Sequence, residues 1–216
     1  PIFTTPPFKH NLSDQFAFRP SGSTCAAVGS LINSVTTMLE TEPYVHVIAL
    51  DFSKAFDVVR HSSLFSKLAS MPISDHIYGW LLNFFTARTH CTKFNAALSA
   101  PLCINSSVVQ GSALGPAMFI LNMSDLHCIT PGNTFIKYAD DAYLLVPASN
   151  TQSIPAELAH IDCWSNLNNQ KLNVKKSSEL IVRRKRCKLF KEPSPTLDIQ
   201  HVDSLTMLGI TIDRTL

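Results

Sequence analysis

The 216-residue sequence lacks the patterns that mark several common classes of protein. No apolar run approaches the ~20 residues that span a bilayer, and the N-terminal PIFTTPPFKH has no signal-peptide pattern. The six cysteines form no C-x-x-C pair and the eight histidines no H-x-x-x-H pair. Neither a zinc ribbon nor a secreted disulfide scaffold is therefore indicated. We expect an intracellular protein with reduced thiols and no membrane segment.

Charged residues are also scarce, at 16% of the chain, whereas apolar residues make up 45%. This balance excludes a disordered or low-complexity chain, and the length suffices for a large hydrophobic core. The net charge of +2 and the pI near 8.4 permit nucleic-acid binding without establishing it. Because the chain begins with Pro1 rather than methionine, we expect a fragment of a longer protein.

The apolar periodicity predicts helices that alternate with strands. Ser23 or Thr24 can cap a helix that Pro43 ends, and Ser74 can cap a second one. Further helices are predicted over 63–70, 116–126 and 154–168, strands over 44–52, 178–182 and 205–213, a β-rich stretch over 92–109, and a hairpin over 135–146. The predicted apolar faces of two helices are Ile77, Trp80, Leu81, Phe84, Phe85 and Leu158, Ile161, Trp164, Leu167. This order favours an α+β fold with an antiparallel sheet.

Two acidic elements interrupt or end the apolar segments. Asp140 and Asp141 lie within FIKYADDAYLLV, and Asp51 ends YVHVIALDF. An isolated acidic doublet is most often a solvated turn, but a second acid beside an equally apolar strand favours a shared site. Mg²⁺ prefers carboxylate oxygens, and two such ions can activate an attacking hydroxyl and stabilise a leaving oxygen. These residues indicate an acidic metal site without distinguishing a polymerase from a nuclease.

Six blocks in order make a more specific pattern: DQFAFRPSGSTCAAV, VIALDFSKAFDVVRHSSLFSKL, VVQGSALGPAMFILNMSDL, KYADDAYLL, QKLNVKKSSELIV and MLGITID. In this order and spacing they resemble the motifs of reverse transcriptases from non-LTR (LINE-type) retrotransposons. The resemblance covers nearly the whole chain from about Leu12. It implies a right-hand polymerase palm, with an antiparallel sheet packed on helices, a partial fingers region and no thumb. It divides the chain into 1–43 (partial fingers), 44–182 (palm with fingers elements) and 183–216 (basic loop and primer-grip-like hairpin).

The resemblance also implies roles for single residues. Asp51, the backbone of Phe52, Asp140 and Asp141 would bind two Mg²⁺ ions, for which Mn²⁺ can substitute. Lys176, with Lys175 as its neighbouring alternative, would protonate the departing pyrophosphate. The residues implied to contact the incoming dNTP are Arg19, Phe52, Phe56, Gln110 and Gly111.

Phe56 would act among these as a steric gate against a 2′-hydroxyl, although without the motif an ordinary core aromatic is the better interpretation. Leu208 and Gly209 would begin the primer-grip hairpin. The implied partners are an RNA template, a DNA primer and dNTPs. The basic run RRKRCK (183–188) is either a solvated loop, a backbone-binding patch or a nuclear localisation signal, so we expect a nuclear location.

Two alternatives to an RNA-directed DNA polymerase stay open at this point. Many relatives carry a second arginine where this chain has Gly22, so the grip on the triphosphate would rest on Arg19 or Lys9. This departure fits an inactive or domesticated relic that binds nucleic acid without polymerising. The intact acids, Gln110 and Phe56 argue against that alternative. An RNA-templated RNA polymerase would share the acids, but the bulky side chain of Phe56 favours dNTPs.

Overall fold

The computed structural model describes residues 12–184, 193–196 and 198–216. Lys9 and most of the basic run 183–188 lie outside the described residues. The helices are α1 Thr24–Thr41, α2 His61–Ala69, α3 Asp75–Phe85, α4 Leu114–Asn122 and α5 Ile154–Leu167, with a 3-10 helix over Ala148–Ser153. The strands are β1 Tyr44–Leu50, β2 Thr89–His90, β3 Lys93–Phe94, β4 Ala97–Leu98, β5 Leu102–Cys103, β6 Thr134–Tyr138, β7 Asp141–Pro147, β8 Ser178–Arg183, β9 Gln200–Val202, β10 Ser204–Met207 and β11 Ile210–Asp213.

A five-stranded sheet with the order β6-β7-β1-β8-β9 organises the fold. Strand β1 lies in the middle, antiparallel to both β7 and β8, and β6 is antiparallel to β7. The last strand, β9, pairs parallel with β8. The α+β class is confirmed, but the prediction of an antiparallel sheet is wrong at this edge because β9 had not been recognised and makes the sheet mixed.

The two faces of the sheet bury two separate apolar cores. Alternate residues of a strand point to opposite faces, and β1 follows this rule. Ile48 and Leu50 pack with helices α2, α3, α4 and α5 on one face. Val45 and Val47 pack on the other face, against α1 and the β10–β11 hairpin. The central strand is therefore covered on both sides, which explains its near-continuous apolar sequence.

Local capping signals account for where two of the helices begin. The Ser23 hydroxyl accepts a hydrogen bond from the Ala26 N–H at 3.0 Å, and the Ser74 side chain caps α3 in the same way. Both caps were predicted. Helix α4 begins at Leu114, two residues before the predicted start, so Pro116 lies within its first turn, where a missing N–H costs no intrahelical bond. The helix ends at Asn122, four residues before the prediction.

Two predicted apolar faces are partly wrong. Trp80 is 53% exposed although Leu81 and Phe85 of the same helix are buried. On α5, Leu167 is 71% exposed while Glu157 is fully buried. The Glu157 carboxylate accepts hydrogen bonds from the backbone N–H groups of Ile129 and Thr130. The buried face of α5 therefore includes Glu157 and excludes Leu167.

The segment predicted as β-rich forms two small ribbons. Strand β2 pairs with β5, and β3 pairs with β4, each over two residues, and all eight residues are exposed. Within the described part of the chain, no helix is long and apolar enough to cross a membrane. The described cysteines, Cys25, Cys91, Cys103, Cys128 and Cys163, are free thiols.

Candidate active site

The register between β1 and β7 brings the predicted acids to one end of the sheet. Leu50 pairs with Ala142, which is the last pair of the ladder. Asp51 follows Leu50 and Asp141 precedes Ala142, so the two carboxylates leave the sheet as neighbours on the same face. Burial raises the pKa of Asp141, and repulsion from Asp140 and Asp51 raises it further. The three predicted acids therefore share one electrostatic site.

A two-residue turn between β6 and β7 carries Asp140, and Asp141 begins β7 directly after it. Tyr138 pairs with Asp141, which leaves Ala139 and Asp140 as the turn. Ala139 has a φ of 55°, in the left-handed region that side chains other than glycine rarely adopt. Asp140 is exposed at the tip. The predicted hairpin over 135–146 is confirmed, and its tip projects a carboxylate into solvent.

The chemistry of this acid group fits a divalent cation. Among the described residues, no three His, Cys, Asp or Glu side chains converge closely enough to hold a metal ion as they stand. The carboxylates of Asp51, Asp140 and Asp141 nevertheless offer the hard oxygen donors that Mg²⁺ prefers. The repulsion that raises the pKa of Asp141 is also what a bound cation would relieve. The side chain of Phe52 is buried beside Trp164, so only its backbone is available to such a site.

The loop that carries Lys176 is anchored to the backbone of Asp51. The Asn173 N–H donates to the Asp51 carbonyl at 2.8 Å, and the Asp51 N–H donates to the Ser177 hydroxyl at 3.2 Å. Lys176 is exposed in the turn between them, where its N–H donates to the Asn173 carbonyl. The fold thus places Lys176 on a loop that is hydrogen-bonded to the Asp51 backbone, through two residues, Asn173 and Ser177, that the sequence had not singled out.

Phe56, Gln110 and Gly111 line one open pocket of about 650 Å³. The Gln110 amide donates to the Asp57 carboxylate at 2.7 Å, which joins the DFSKAFD block to the QGSALGP block. Gly111 has a φ of +80°, a backbone conformation that favours glycine. A side chain at Gly115 would lie 2.8 Å from the Val109 carbonyl oxygen. Three predicted nucleotide-binding residues are therefore neighbours.

Arg19 is engaged within its own segment. Its guanidinium donates to the Leu12 carbonyl and lies 5.4 Å from the centre of the Phe16 ring. Gly22 closes the same turn, and a Cβ atom there would lie only 2.2 Å from the Phe16 carbonyl oxygen. This turn therefore has no room for the second arginine of many relatives, and no described contact joins Arg19 to the three acids.

Leu208 and Gly209 form the two-residue turn between β10 and β11. Both have a positive φ, 48° and 86° respectively, which is typical of a type I′ hairpin. The hairpin packs against the α1 face of the sheet through Leu205, Met207 and Ile212. The predicted segment 205–213 is thus a hairpin, and no described contact joins its turn to the acids.

The sequence matches the model of one known protein family over nearly its whole length. Residues 3–212 match the model of the family described as "Reverse transcriptase (RNA-dependent DNA polymerase)". The chain belongs to the reverse transcriptase family.

Relatives of the chain come from non-LTR retrotransposons. It is 25% identical to the probable RNA-directed DNA polymerase from transposon BS of Drosophila melanogaster, over 94% of this chain and 24% of that protein. It is 26% identical to the RNA-directed DNA polymerase from the mobile element jockey of the same species, over 94% of this chain and 23% of that protein. It is 26% identical to the Pol polyprotein of the type-1 retrotransposable element R2 of Popillia japonica, over 81% of this chain and 27% of that protein. The chain spans about a quarter of the length of these relatives.

Solved structures share the fold. The telomerase of Candida tropicalis, solved with a TWJ fragment of telomeric RNA, superposes with a TM-score of 0.70 at 12% identity, covering 98% of this chain and 34% of that one. The telomerase of Candida albicans, also solved with a TWJ fragment of telomeric RNA, superposes with a TM-score of 0.61 at 13% identity, covering 95% of this chain and 34% of that one. At these identities the likeness concerns the α+β fold with its mixed five-stranded sheet.

Proposed function

We propose that this chain is the palm-containing part of an RNA-directed DNA polymerase, which adds dNTPs to the 3′-hydroxyl of a DNA primer on an RNA template. The observation that carries the proposal is the position of Asp51, Asp140 and Asp141 at one end of the central sheet, where Asp51 and Asp140 repel the charge of Asp141. Membership of the reverse transcriptase family gives this acid group its expected chemistry.

The acids are proposed to bind two Mg²⁺ ions, for which Mn²⁺ can substitute. Bound there, the ions would activate the primer hydroxyl and stabilise the leaving oxygen of the phosphoryl transfer. Asp51 and the carbonyl of Phe52 would hold them from the β1 side, and Asp140 and Asp141 from the hairpin. Lys176, exposed on the loop bound to the Asp51 backbone, would donate a proton to the departing pyrophosphate.

The pocket lined by Phe56, Gln110 and Gly111 is proposed to receive the incoming dNTP. Phe56 would exclude a 2′-hydroxyl by clash, and Gln110, which Asp57 orients, would contact the nucleotide. Arg19 would grip the triphosphate after releasing the Leu12 carbonyl. Leu208 and Gly209, at a hairpin turn with two positive φ angles, would guide the primer.

The division of the chain follows the same proposal. Residues 1–43 would contribute part of the fingers, 44–182 the palm with fingers elements, and 183–216 a basic loop and the primer-grip hairpin. The basic run that begins at Arg183 and Arg184 would favour nucleic-acid binding and a nuclear location. The telomerase neighbours solved with telomeric RNA support RNA as one of the partners.

Primer extension on poly(rA)/oligo(dT) with dTTP and Mg²⁺ tests the proposal. The matched variant is Asp140→Asn with Asp141→Asn, which keeps the size of both side chains but removes their charge. Since charge neutralisation is a main source of catalysis in phosphoryl transfer, we expect the variant to lose several orders of magnitude in rate. Extension that survives in the variant would rule out this metal site.

Lack of extension by the wild-type chain has two explanations that a second experiment separates. The chain spans about a quarter of its curated relatives, so the same assay should be repeated with the chain extended along its natural reading frame. Activity that returns in the longer protein supports the polymerase. RNA binding without nucleotide incorporation in the longer protein would favour the inactive relic.

A further inference from the structure

Asp14, Gln15 and Phe16 form a short segment that is hydrogen-bonded to β6, the first strand of the hairpin that carries Asp140 and Asp141. The Lys137 N–H donates to the Asp14 carbonyl at 2.7 Å, and the Phe16 N–H donates to the Lys137 carbonyl at 2.8 Å. These bonds pair Gln15 with Lys137 in a parallel bridge at the free edge of β6. The Lys137 ammonium, fully buried, also lies 3.0 Å from the Asp14 carboxylate. The segment is therefore attached to the strand that leads directly into the acidic turn.

The side chain of Gln15 reaches the turn itself. It is 1% exposed, and its Oε1 atom accepts hydrogen bonds from the Ala139 N–H at 3.0 Å and the Ala17 N–H at 2.9 Å. Two N–H donors on one atom identify that atom as the carbonyl oxygen. Within the described residues, the amide nitrogen of Gln15 has no hydrogen-bond partner. The structure thus uses Gln15 as an acceptor.

Ala139 is the residue of the turn that most needs this support. Its φ of 55° falls at the first central position of a two-residue hairpin turn, where glycine is the favoured residue. Ala139 is buried, so its N–H would lack a partner if Gln15 did not accept it. The bond therefore compensates for an unfavourable backbone conformation immediately before Asp140 and Asp141.

We propose that Gln15 is a positioning residue for the acidic doublet. By accepting the Ala139 N–H, it holds the turn in the conformation that places Asp140 at the tip and Asp141 beside Asp51. The catalytic part of this inference rests on the proposed polymerase function, whereas the geometric part does not. Gln15 contacts none of the three carboxylates and acts only through the backbone of the turn.

Two substitutions at Gln15 separate the acceptor from the size of the side chain. Gln15→Leu keeps a similar volume and removes the acceptor, whereas Gln15→Glu keeps an acceptor oxygen, so its Ala139 N–H should exchange as slowly as in the wild type. Val35→Ala is the matched control, because Val35 is fully buried on α1 in the core on the opposite side of the sheet from α2–α5. It should lower stability without changing the turn.

Three measurements are made on each variant. Amide hydrogen exchange at Ala139 reports the hydrogen bond directly, and electron paramagnetic resonance of free Mn²⁺ reports metal affinity without any need for turnover. Steady-state primer extension gives kcat and the KM for dTTP. We expect Gln15→Leu to exchange faster at Ala139, to bind Mn²⁺ about 10–100-fold more weakly, and to lose on the order of 10²-fold in kcat with little change in KM.

The outcomes separate this inference from the proposed function. Unchanged exchange at Ala139 in Gln15→Leu overturns the inference whatever the activity. Faster exchange with wild-type Mn²⁺ affinity overturns the positioning role, as does an equal loss of affinity in Val35→Ala. If neither the wild-type chain nor the longer protein extends a primer, the polymerase proposal fails, while the exchange and Mn²⁺ measurements still decide the role of Gln15.

Discussion

The ring of Phe56 stacks on the ring of Phe119, with 3.9 Å between centroids and 14° between planes. Phe119 is fully buried in α4, whereas Phe56 is partly buried and also lines the open pocket beside Gln110 and Gly111. Phe56 is thus a core aromatic on one face and a pocket wall on the other. The core interpretation describes the face that packs on Phe119, and the gate role stays a prediction for the face that lines the pocket.

Replacement of Phe56 by alanine should relax the choice of sugar. Without the ring, a 2′-hydroxyl no longer clashes, so we expect Phe56→Ala to incorporate rNTPs at least ten times more readily, relative to dNTPs, than the wild type does. The measurement is the ratio of kcat/KM for dTTP and UTP on the same template and primer.

The control for this prediction is Phe119→Leu, which disturbs the stack but leaves the pocket wall in place. It should lose stability, by roughly 1–3 kcal/mol, and keep the sugar preference of the wild type. Unchanged selectivity in Phe56→Ala would remove Phe56 from the gate, and altered selectivity in Phe119→Leu would point to a general loosening of the pocket.

Neutralising Asp141 should stabilise the metal-free protein. Burial and repulsion from Asp140 and Asp51 raise the pKa of Asp141, so its charge opposes folding at neutral pH. We expect Asp141→Asn to raise Tm in EDTA by roughly 1–2 °C, the size of a partly screened surface repulsion, and to weaken the stabilisation by Mg²⁺. Thermal unfolding with and without Mg²⁺ measures both effects.

The pH dependence of this effect has a defined sign. Because the folded state protonates Asp141 more readily than the unfolded chain does, the destabilisation is present at neutral pH and disappears as the pH falls below the raised pKa. Glu40→Gln, which removes an exposed carboxylate of α1, is the control and should leave the response to Mg²⁺ unchanged. A lower Tm for Asp141→Asn in EDTA would contradict the repulsion.

A buried carboxylate should make stability fall in acid. Burial alone would raise the pKa of Glu179, but hydrogen bonds from the His46 ring and from Thr196 outweigh it and hold the pKa at about 2. Because this value lies below the ordinary 4.5, the stability from Glu179 is complete above pH 4.5 and is lost as the pH falls toward 2.

Glu179→Gln tests this prediction. Loss of the charge-assisted hydrogen bonds should cost about 1–3 kcal/mol in the free energy of unfolding at pH 7, and the difference from the wild type should shrink at pH 3. Urea unfolding at the two pH values measures it. Glu42→Gln is the control, since Glu42 is exposed where it accepts two hydrogen bonds from Ser149. Equal losses at both pH values would refute the depressed pKa.

Restoring the arginine of many relatives at position 22 should harm the protein. A Cβ atom at Gly22 would lie 2.2 Å from the Phe16 carbonyl oxygen, so Gly22→Arg must open the turn that holds Arg19. We expect the free energy of unfolding to fall by about 1–3 kcal/mol, measured by thermal unfolding. Gly29→Ala, in open space within α1, should be neutral or stabilising. A Gly22→Arg variant with wild-type Tm and a lower KM for dNTP would contradict the steric argument.

The predictable parts of the fold were those with a local cause. The Ser23 cap, the apolar run of β1 and the hairpin over 135–146 follow from neighbours within a few residues along the chain. The order of the six blocks likewise indicated the family that residues 3–212 match. Caps, periodicity and motif order require no knowledge of what packs against them.

Long-range contacts decided what the local pattern could not. Strand β9 joins the sheet through a parallel pairing with β8, and Glu157 is buried in α5 because a distant turn supplies its hydrogen-bond donors. Trp80 is exposed on a helix whose periodicity predicted burial, because a face is covered only where another element packs on it. Such pairings depend on partners far away in the chain.

The candidate site divides in the same way. The sequence by itself determined which acids, aromatic and glutamine form the motifs, since residue type and order are local information. Only the tertiary structure decided that the register of β1 and β7 brings Asp51 to Asp141, and that Gln15 supports the turn before Asp140. The physical reason is that a strand register and a buried hydrogen bond are chosen by the whole packed sheet, where each polar group must find its partner.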